Sequence, residues 1–213
     1  MKSSSWLCVF AVVLSATAAC SSNGSASSTK ATESVGDVPS SSASATPPGS
    51  VRPTLTDPKV QPPSQQGNQY SEGLPDVVFD PCTWISDQTI QKAGFDPASR
   101  HRVTDTVAEQ TFFTCGFSSV PQTLRLISGN VPWDQDVQKV ASRSQAITVN
   151  GRQAMRVQDP NFPNTCEIDL RTKVGFVQVF SDPTDQASVI DAPSCNGLLS
   201  TATLIEPEIG KGN

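Results

Sequence analysis

The sequence predicts an α+β domain, an antiparallel sheet with helices packed on one face, preceded by a signal peptide and a disordered tether. Three features of the chain support this prediction. Several short apolar segments alternate with a period of two, segments with helical periodicity lie between them, and a long polar segment precedes them all. Strands that are joined by tight hairpins pair antiparallel, and helices then cover one face of the sheet.

The first twenty residues have the layout of an export signal. Lys2 precedes the apolar segment 6–14, which is too short for a permanent membrane helix of about 20 residues. The small residues that follow resemble the lipobox of bacterial lipoproteins, although that pattern prefers Leu where Thr17 stands. The sequence therefore predicts a signal peptide over 1–19 and a lipid on Cys20. The alternative is an ordinary secretory signal, with Cys20 as a free thiol.

Residues 21–75 have the composition of a linker. They contain 13 serines and 8 prolines, no Trp, Phe or Cys, and a single Tyr. Such a segment buries too little apolar surface to offset the entropy lost on ordering. We therefore predict a lipidated, disordered tether over 20–75, reaching on the order of 40 Å, and a folded, disulfide-stapled domain over 76–213.

A short helix is predicted to open the domain. Ser86 has the side chain of an N-cap, and Ile85 and Ile90 are spaced as a hydrophobic staple around it. Gly94 has the place of a helix-ending glycine. These signals predict a helix over 87–93.

The remaining elements follow from alternation and turn residues. Asn150 and Gly151 form the strongest short hairpin signal, and Thr172 with Lys173 suits a tight turn. Pro132 suits the start of one helix, and a last helix is expected from Pro193 onward. Strands are predicted over 107–119, 123–128, 147–149, 153–158, 166–171 and 174–180, and the middle helix over 134–144.

The cysteines indicate an oxidising compartment. Once Cys8 has left with the signal and Cys20 carries lipid, four remain, and an even number in an exported protein predicts two disulfides. No pair has the spacing of a zinc knuckle, and His101 is the only histidine. No metal site is therefore predicted. The four cysteines are Cys82, Cys115, Cys166 and Cys195.

The net charge of −5 comes from the predicted domain, where 16 acidic and 11 basic residues follow from position 76 onward. An acidic domain without a basic run argues against nucleic acid as a partner and against direct attraction to anionic lipid. The chain has no phosphate-binding glycine loop and no dinucleotide fingerprint, so no cofactor is predicted.

A family resemblance rests on the cysteines and their neighbours. The segments Asp80-Pro81-Cys82 and Cys115-Gly116-Phe117, with Cys166 and Cys195 in matching order, resemble the actinobacterial Lpr-type lipoproteins. That family carries a four-cysteine domain of unknown function behind a lipobox and a polar tether. The resemblance implies an envelope location and no established activity.

Four cysteines allow three pairings, of which Cys82–Cys115 and Cys166–Cys195 are favoured. Each closes a loop of about thirty residues, worth roughly 3 kcal/mol in the chain-entropy model. The crossed pairings stay open.

Candidate catalytic side chains are few. His101 lies between Arg100 and Arg102 in a polar stretch, without a nucleophile motif anywhere in the chain, so a solvated loop is expected there. Glu167 and Asp169 share the outward face of a predicted strand. They could act as an acid pair for glycoside chemistry or bind calcium, but a solvated surface is the favoured interpretation. Two further acid pairs are Asp134 with Asp136 and Asp182 with Asp185.

Three functions remain in competition. The favoured one is a non-catalytic binding or adaptor module, tethered to the extracytoplasmic face of the cell membrane through Cys20 and acting on an envelope protein. The second is a carrier of an apolar envelope ligand, which would need a cleft lined by the aromatic side chains rather than a core made of them. The third is a hydrolytic enzyme. The aromatic set is Trp84, Trp133, Phe112, Phe113, Phe176 and Phe180.

Overall fold

The computed structural model of the chain describes residues 55–67, 73–120, 122–161, 165–184 and 195–213, with the backbone alone at 195 and 196. These residues belong to one structural unit. The predicted signal peptide, Cys20 and the first part of the predicted tether lie outside the described residues. Within them, no helix combines the length and the hydropathy needed to cross a bilayer.

An antiparallel sheet of eight strands forms the centre of the fold, which confirms the predicted α+β class. The strand order is β1-β3-β4-β8-β7-β6-β5, with β2 paired to β3. All described pairings are antiparallel. The strands are β1 Asp96–Arg102, β2 Thr106–Val107, β3 Thr111–Ser118, β4 Gln122–Gly129, β5 Ser144–Val149, β6 Arg152–Val157, β7 Cys166–Arg171 and β8 Phe176–Pro183.

The predicted hairpins and strands are present with small shifts at their ends. Asn150 and Gly151 connect β5 to β6 with positive φ angles of 50° and 86°, as a tight hairpin of this sequence requires. The turn after Thr172 joins β7 to β8, which pair along their whole length. The strand β7 has the bounds that its alternation predicted.

Among the described residues, four α-helices accompany the sheet: α1 Pro81–Trp84, α2 Asp87–Lys92, α3 Trp133–Val140 and α4 Cys195–Ile209. The predicted cap of α2 is confirmed, because the Ser86 hydroxyl accepts a hydrogen bond from the Thr89 N–H at 3.2 Å. Gly94 ends this helix with a φ of 87°. Ile85 and Ile90 are both fully buried.

Helices lie on both faces of the sheet, whereas the sequence predicted them on one face only. Side chains that point to one face, such as Leu126, Ile168 and Val179, share a core with residues of α1, α2 and α4. Met155 and Val157 point to the opposite face, where they pack against Val140 of α3. Period-two alternation along each strand therefore supplies apolar side chains to both faces. The helix α3 is amphipathic, and its apolar side covers part of this opposite face of the sheet.

The strand β1 corrects the prediction of a solvated loop around His101. Arg100 and Arg102 turn towards the core side of the sheet, where they lie over the rings of Phe117 and Phe113. Arg102 also pairs with the buried carboxylate of Asp80. The stretch was predicted to be a loop because it is polar and follows Asp96 and Pro97, but in the structure ring contacts and ion pairs replace apolar packing.

The segment 55–67 corrects the predicted extent of the tether. Val60 is buried in the main core, and its carbonyl oxygen accepts hydrogen bonds from Arg102. The N–H of Leu55 donates to the carbonyl oxygen of Thr83 at 3.0 Å. Composition alone missed this packing, because one buried Val and a few backbone hydrogen bonds suffice to hold an otherwise polar segment. These residues therefore belong to the folded part of the chain.

Candidate functional site

The structure contains the predicted disulfide between Cys82 and Cys115, whose sulfur atoms are 2.02 Å apart. It links α1, which the sequence analysis did not predict, to the central part of β3. Cys166 is disulfide-bonded as well. The side chain of Cys195 lies outside the described residues, so the pairing Cys166–Cys195 stays a prediction.

The environment of His101 does not resemble a hydrolase site. Its Nδ1 lies 2.9 Å from the carbonyl oxygen of Ser99. Its ring packs over Gly116, since a Cβ there would lie 2.5 Å from His101 Cε1. A general base needs a carboxylate or an equivalent group to orient it beside a nucleophile. Among the contacts of the described residues, this ring has a backbone carbonyl instead.

The six aromatic side chains do not line one cleft. Phe113 and Trp84 are buried on the side of the main core, whereas Phe112 and Phe176 contact each other with ring centroids 6.4 Å apart. Neighbouring residues on a strand point to opposite faces, so Phe112 and Phe113 cannot share a pocket. The six aromatic side chains together therefore do not form the cleft that a carrier of an apolar ligand would need.

Glu167 and Asp169 correct the prediction of a solvated outer face. Asp169 is fully buried and Asp136 of α3 is 5% exposed, because α3 packs on this face of the sheet. Neither carboxylate oxygen of Asp169 forms a hydrogen bond of good geometry with a described residue, nor does Oδ2 of Asp136. The sequence placed Asp136 and Asp169 in separate pairs, but the fold brings them into one carboxylate cluster, defined as Asp136, Glu167 and Asp169.

Burial controls the electrostatics of this carboxylate cluster. It raises the pKa of Asp136 from 3.8 to about 6, and the charge of Glu167 adds to the rise while Lys139 reduces it. It also raises the pKa of Asp169 well above its usual value, with further contributions from Glu167 and Asp136 and an offset from Gln178. Both effects disfavour the charged form. Asp136 and Asp169 therefore keep their protons up to a higher pH than exposed carboxyl groups do.

The chemistry open to the carboxylate cluster is limited by its surroundings. No group of three His, Cys, Asp or Glu side chains among the described residues has the arrangement of a metal site. Glu167 lines a hollow of about 160 Å³ together with Arg143 and Asp159, which form an ion pair at 3.5 Å. Asp136 and Asp169 are not among the residues that line this hollow. A substrate in this hollow would therefore not reach the carboxylates of Asp136 and Asp169.

The end of the sheet at the β7–β8 turn offers more room. Two hollows of about 500 and 270 Å³ share Arg171, Thr172 and Lys173, and we call them together the turn cleft. The larger volume lies within the range of small-molecule sites. The larger hollow is also lined by Leu74, Pro75, Asn130, Pro132, Trp133, Asp134, Val174 and Gly175, and the smaller one by Arg152, Gln153, Lys211, Gly212 and Asn213.

The turn that separates these hollows is tightly held. The Thr172 hydroxyl accepts a hydrogen bond from the Gly175 N–H at 3.0 Å, and the Thr172 N–H donates to the Gly175 carbonyl at 2.9 Å. A Cβ on Gly175 would lie 2.3 Å from the carbonyl oxygen of Gly129 and 2.7 Å from that of Val131. Only glycine fits at this point, so the turn rests directly on the neighbouring backbone.

Arg152 fixes the other wall of the turn cleft. Its guanidinium pairs with Glu206 at 2.9 Å and donates to the carbonyl oxygens of Arg171, Gly210 and Asn213. These bonds hold the end of β7 and the segment after α4 together. Lys211 lies in that segment and is thereby kept near the turn.

A family model described as a protein of unknown function, DUF3558, matches residues 15–208 of the chain. The chain belongs to this family. The match begins inside the predicted signal peptide and continues through the tether and the domain. No curated protein and no solved structure matches the chain.

Sequence reasoning missed the turn cleft because its residues come from distant segments. The turn after β7 was predicted, but Lys211 lies some forty residues further on and Trp133 as many before it. A possible signal was the pair of cations, Arg171 and Lys173, on either side of a turn residue. Only the hairpin pairing and the path of α4 bring them together with Lys211.

Proposed function

We propose that the protein is an exported lipoprotein, anchored by a lipid on Cys20 to the extracytoplasmic face of the cell membrane, with a non-catalytic binding module as its folded domain. The proposal includes that it is one of the actinobacterial Lpr-type lipoproteins, which its cysteine-containing segments resemble. The observation that carries it is the sequence of the first twenty residues, an apolar segment followed by small residues and Cys20.

Two further observations support export. The disulfide Cys82–Cys115 is a feature of proteins from oxidising compartments. The family match starts at Ser15, so Cys20 falls inside the region that members of the family share. A cysteine directly after a signal segment is well explained by lipid attachment, which makes anchoring effectively permanent when two or more acyl chains are present.

Support for a binding module rather than an enzyme comes from the candidate groups themselves. His101 contacts a backbone carbonyl oxygen, and the buried carboxylates are shielded by α3. The turn cleft, in contrast, offers an accessible volume with charged walls. A carrier of an apolar ligand has less support, since the aromatic side chains are divided between the two faces of the sheet.

Fractionation of cells that express the full chain tests the anchor. We expect the native protein in the membrane fraction and a Cys20→Ser variant in the soluble exported fraction. The Cys8→Ser variant is the matched control, because it removes a cysteine from the predicted signal without touching the lipidation site. Mass spectrometry of the mature N-terminus should show acyl chains on Cys20.

Membrane association of the Cys20→Ser variant equal to that of the native chain would refute the lipid anchor. Release of the Cys8→Ser variant together with Cys20→Ser would show that the loss of membrane association is not specific to the predicted lipidation site. An unmodified mature N-terminus at Cys20 would favour the ordinary secretory signal.

A further inference from the structure

We propose that the turn cleft is a binding site for a phosphoryl group, carried by a small molecule or by a lipid headgroup. This inference rests on the binding-module part of the proposed function and names the chemistry of the ligand. Three cations, Arg171, Lys173 and Lys211, converge on the smaller hollow.

The charge at this point is unusual for the domain. Although acidic residues outnumber basic ones from position 76 onward, no Asp or Glu side chain lines the smaller hollow. Arg171, Lys173 and Lys211 form no ion pair with any described residue, whereas Arg152 is neutralised by Glu206. Converging cations repel one another, and an anion bound between them removes that repulsion.

The donor set matches a phosphoryl group. Arg171 uses one guanidinium nitrogen for Gln153 Oε1 at 2.7 Å, which orients the planar group at the mouth of the hollow. Guanidinium groups bind phosphate oxygens through paired N–H donors, and lysine ammonium groups add point charges. Three positive charges suit the double charge of a phosphomonoester better than the single charge of a carboxylate.

The site is held in place before a ligand arrives. Arg171 and Lys173 flank Thr172, whose hydrogen bonds with Gly175 lock the turn. Lys211 follows Gly210, whose carbonyl oxygen is bonded to Arg152. The backbone positions of all three cations are therefore fixed by buried contacts, which lowers the ordering cost of binding.

The larger hollow determines how the rest of the ligand lies. It combines apolar groups of Trp133, Pro132 and Val174 with the exposed carboxylate of Asp134. The negative charge of Asp134 repels an anionic group from this side. The phosphoryl group should therefore lie towards Lys211, and an uncharged part of the ligand should lie against Trp133.

Isothermal titration calorimetry of the full chain in micelles of a neutral detergent tests the site. The probes are inorganic phosphate, glycerol 3-phosphate, and phosphatidic acid mixed into the micelles. We expect binding that weakens as salt is added, and at least a ten-fold increase in Kd for the double variant Lys173→Gln/Lys211→Gln. The control, Lys59→Gln/Lys92→Gln, removes an equal charge from exposed positions outside both hollows.

Each outcome bears on the proposal. Binding of glycerol 3-phosphate that the double variant loses supports a soluble phosphorylated ligand, and binding of phosphatidic acid alone with the same loss supports a lipid headgroup. Binding that is equal in the double variant and in the native chain overturns the site. Absence of binding to all three probes also overturns it, while membrane fractionation, which depends on Cys20, would still decide the anchor independently.

Discussion

Replacing Asp136 with Asn should stabilise the folded chain at neutral pH. Burial raises the pKa of this carboxyl from 3.8 to about 6, a rise of roughly two units, and one unit corresponds to about 1.4 kcal/mol. Keeping the charge in the folded state above pH 6 thus costs about 3 kcal/mol. The charge also favours the N-terminal turn of α3 by about 0.3–1 kcal/mol, so the expected net gain for Asp136→Asn is about 2 kcal/mol.

The pH dependence of this gain has a definite sign. A carboxyl whose pKa is higher in the folded state binds more protons there than in the unfolded chain, between about pH 3.8 and 6. The free energy of unfolding therefore rises as the pH falls through this window. Asp169 acts in the same direction, because its pKa is also raised. The advantage of Asp136→Asn over the native chain should shrink to about 1.5 kcal/mol at pH 5 and vanish as the pH falls further.

Urea unfolding of the full chain under non-reducing conditions, at pH 7.5 and at pH 5, measures both quantities. The matched control is Asp134→Asn on the same helix, where the side chain is exposed, and where a change within about 0.5 kcal/mol at either pH is expected. A loss of stability for Asp136→Asn at pH 7.5, or a gain at pH 5 as large as the gain at pH 7.5, would refute the inference that the buried charge destabilises the fold.

Two further predictions concern the packing around the turn cleft and around β1. Gly175→Ala should destabilise the fold by about 2–4 kcal/mol, since the new Cβ would overlap two backbone carbonyl oxygens. The control Gly197→Ala, in open space within α4, should be neutral or stabilising by up to about 1 kcal/mol. Equal effects of the two substitutions in thermal unfolding would contradict the turn geometry. Arg102→Met should cost about 3–5 kcal/mol, because it leaves the buried carboxylate of Asp80 without its partner. Arg125→Met removes an exposed ion pair and should cost less than about 1 kcal/mol in the same urea assay, and a cost for Arg102→Met as small as this would contradict a buried pair.

Elements with a local signal were predictable from the sequence. The α2 helix has its cap, staple and terminal glycine within ten residues, and the structure contains each of them. The hairpin at Asn150 and the alternating strand β7 are similar cases. The strand β1 was missed because its burial comes from contacts of Arg100 and Arg102 with rings and carboxylates that lie elsewhere in the chain.

The functional residues divide in the same way. The predicted lipidation site Cys20 and the cysteines of the observed disulfide, Cys82 and Cys115, could be named from spacing and composition alone. The solvated face expected for Asp169 was wrong, because the alternation of a strand shows which side chains share a face but not whether a helix covers that face. Nothing in the sequence indicated that the pKa of Asp136 is raised, since this rise depends on burial and on the nearby charge of Glu167 in β7.

By itself, the sequence determined the α+β class, most strand and helix positions, the predicted export signal and the four cysteines of the domain, because these depend on short-range periodicity and on residue type. The tertiary structure alone decided which acids are buried, that residues 55–67 pack on the domain, and that Arg171, Lys173 and Lys211 meet at one cleft. Charge, burial and cavity shape depend on distances between segments that are far apart in the chain, and only the folded chain sets those distances.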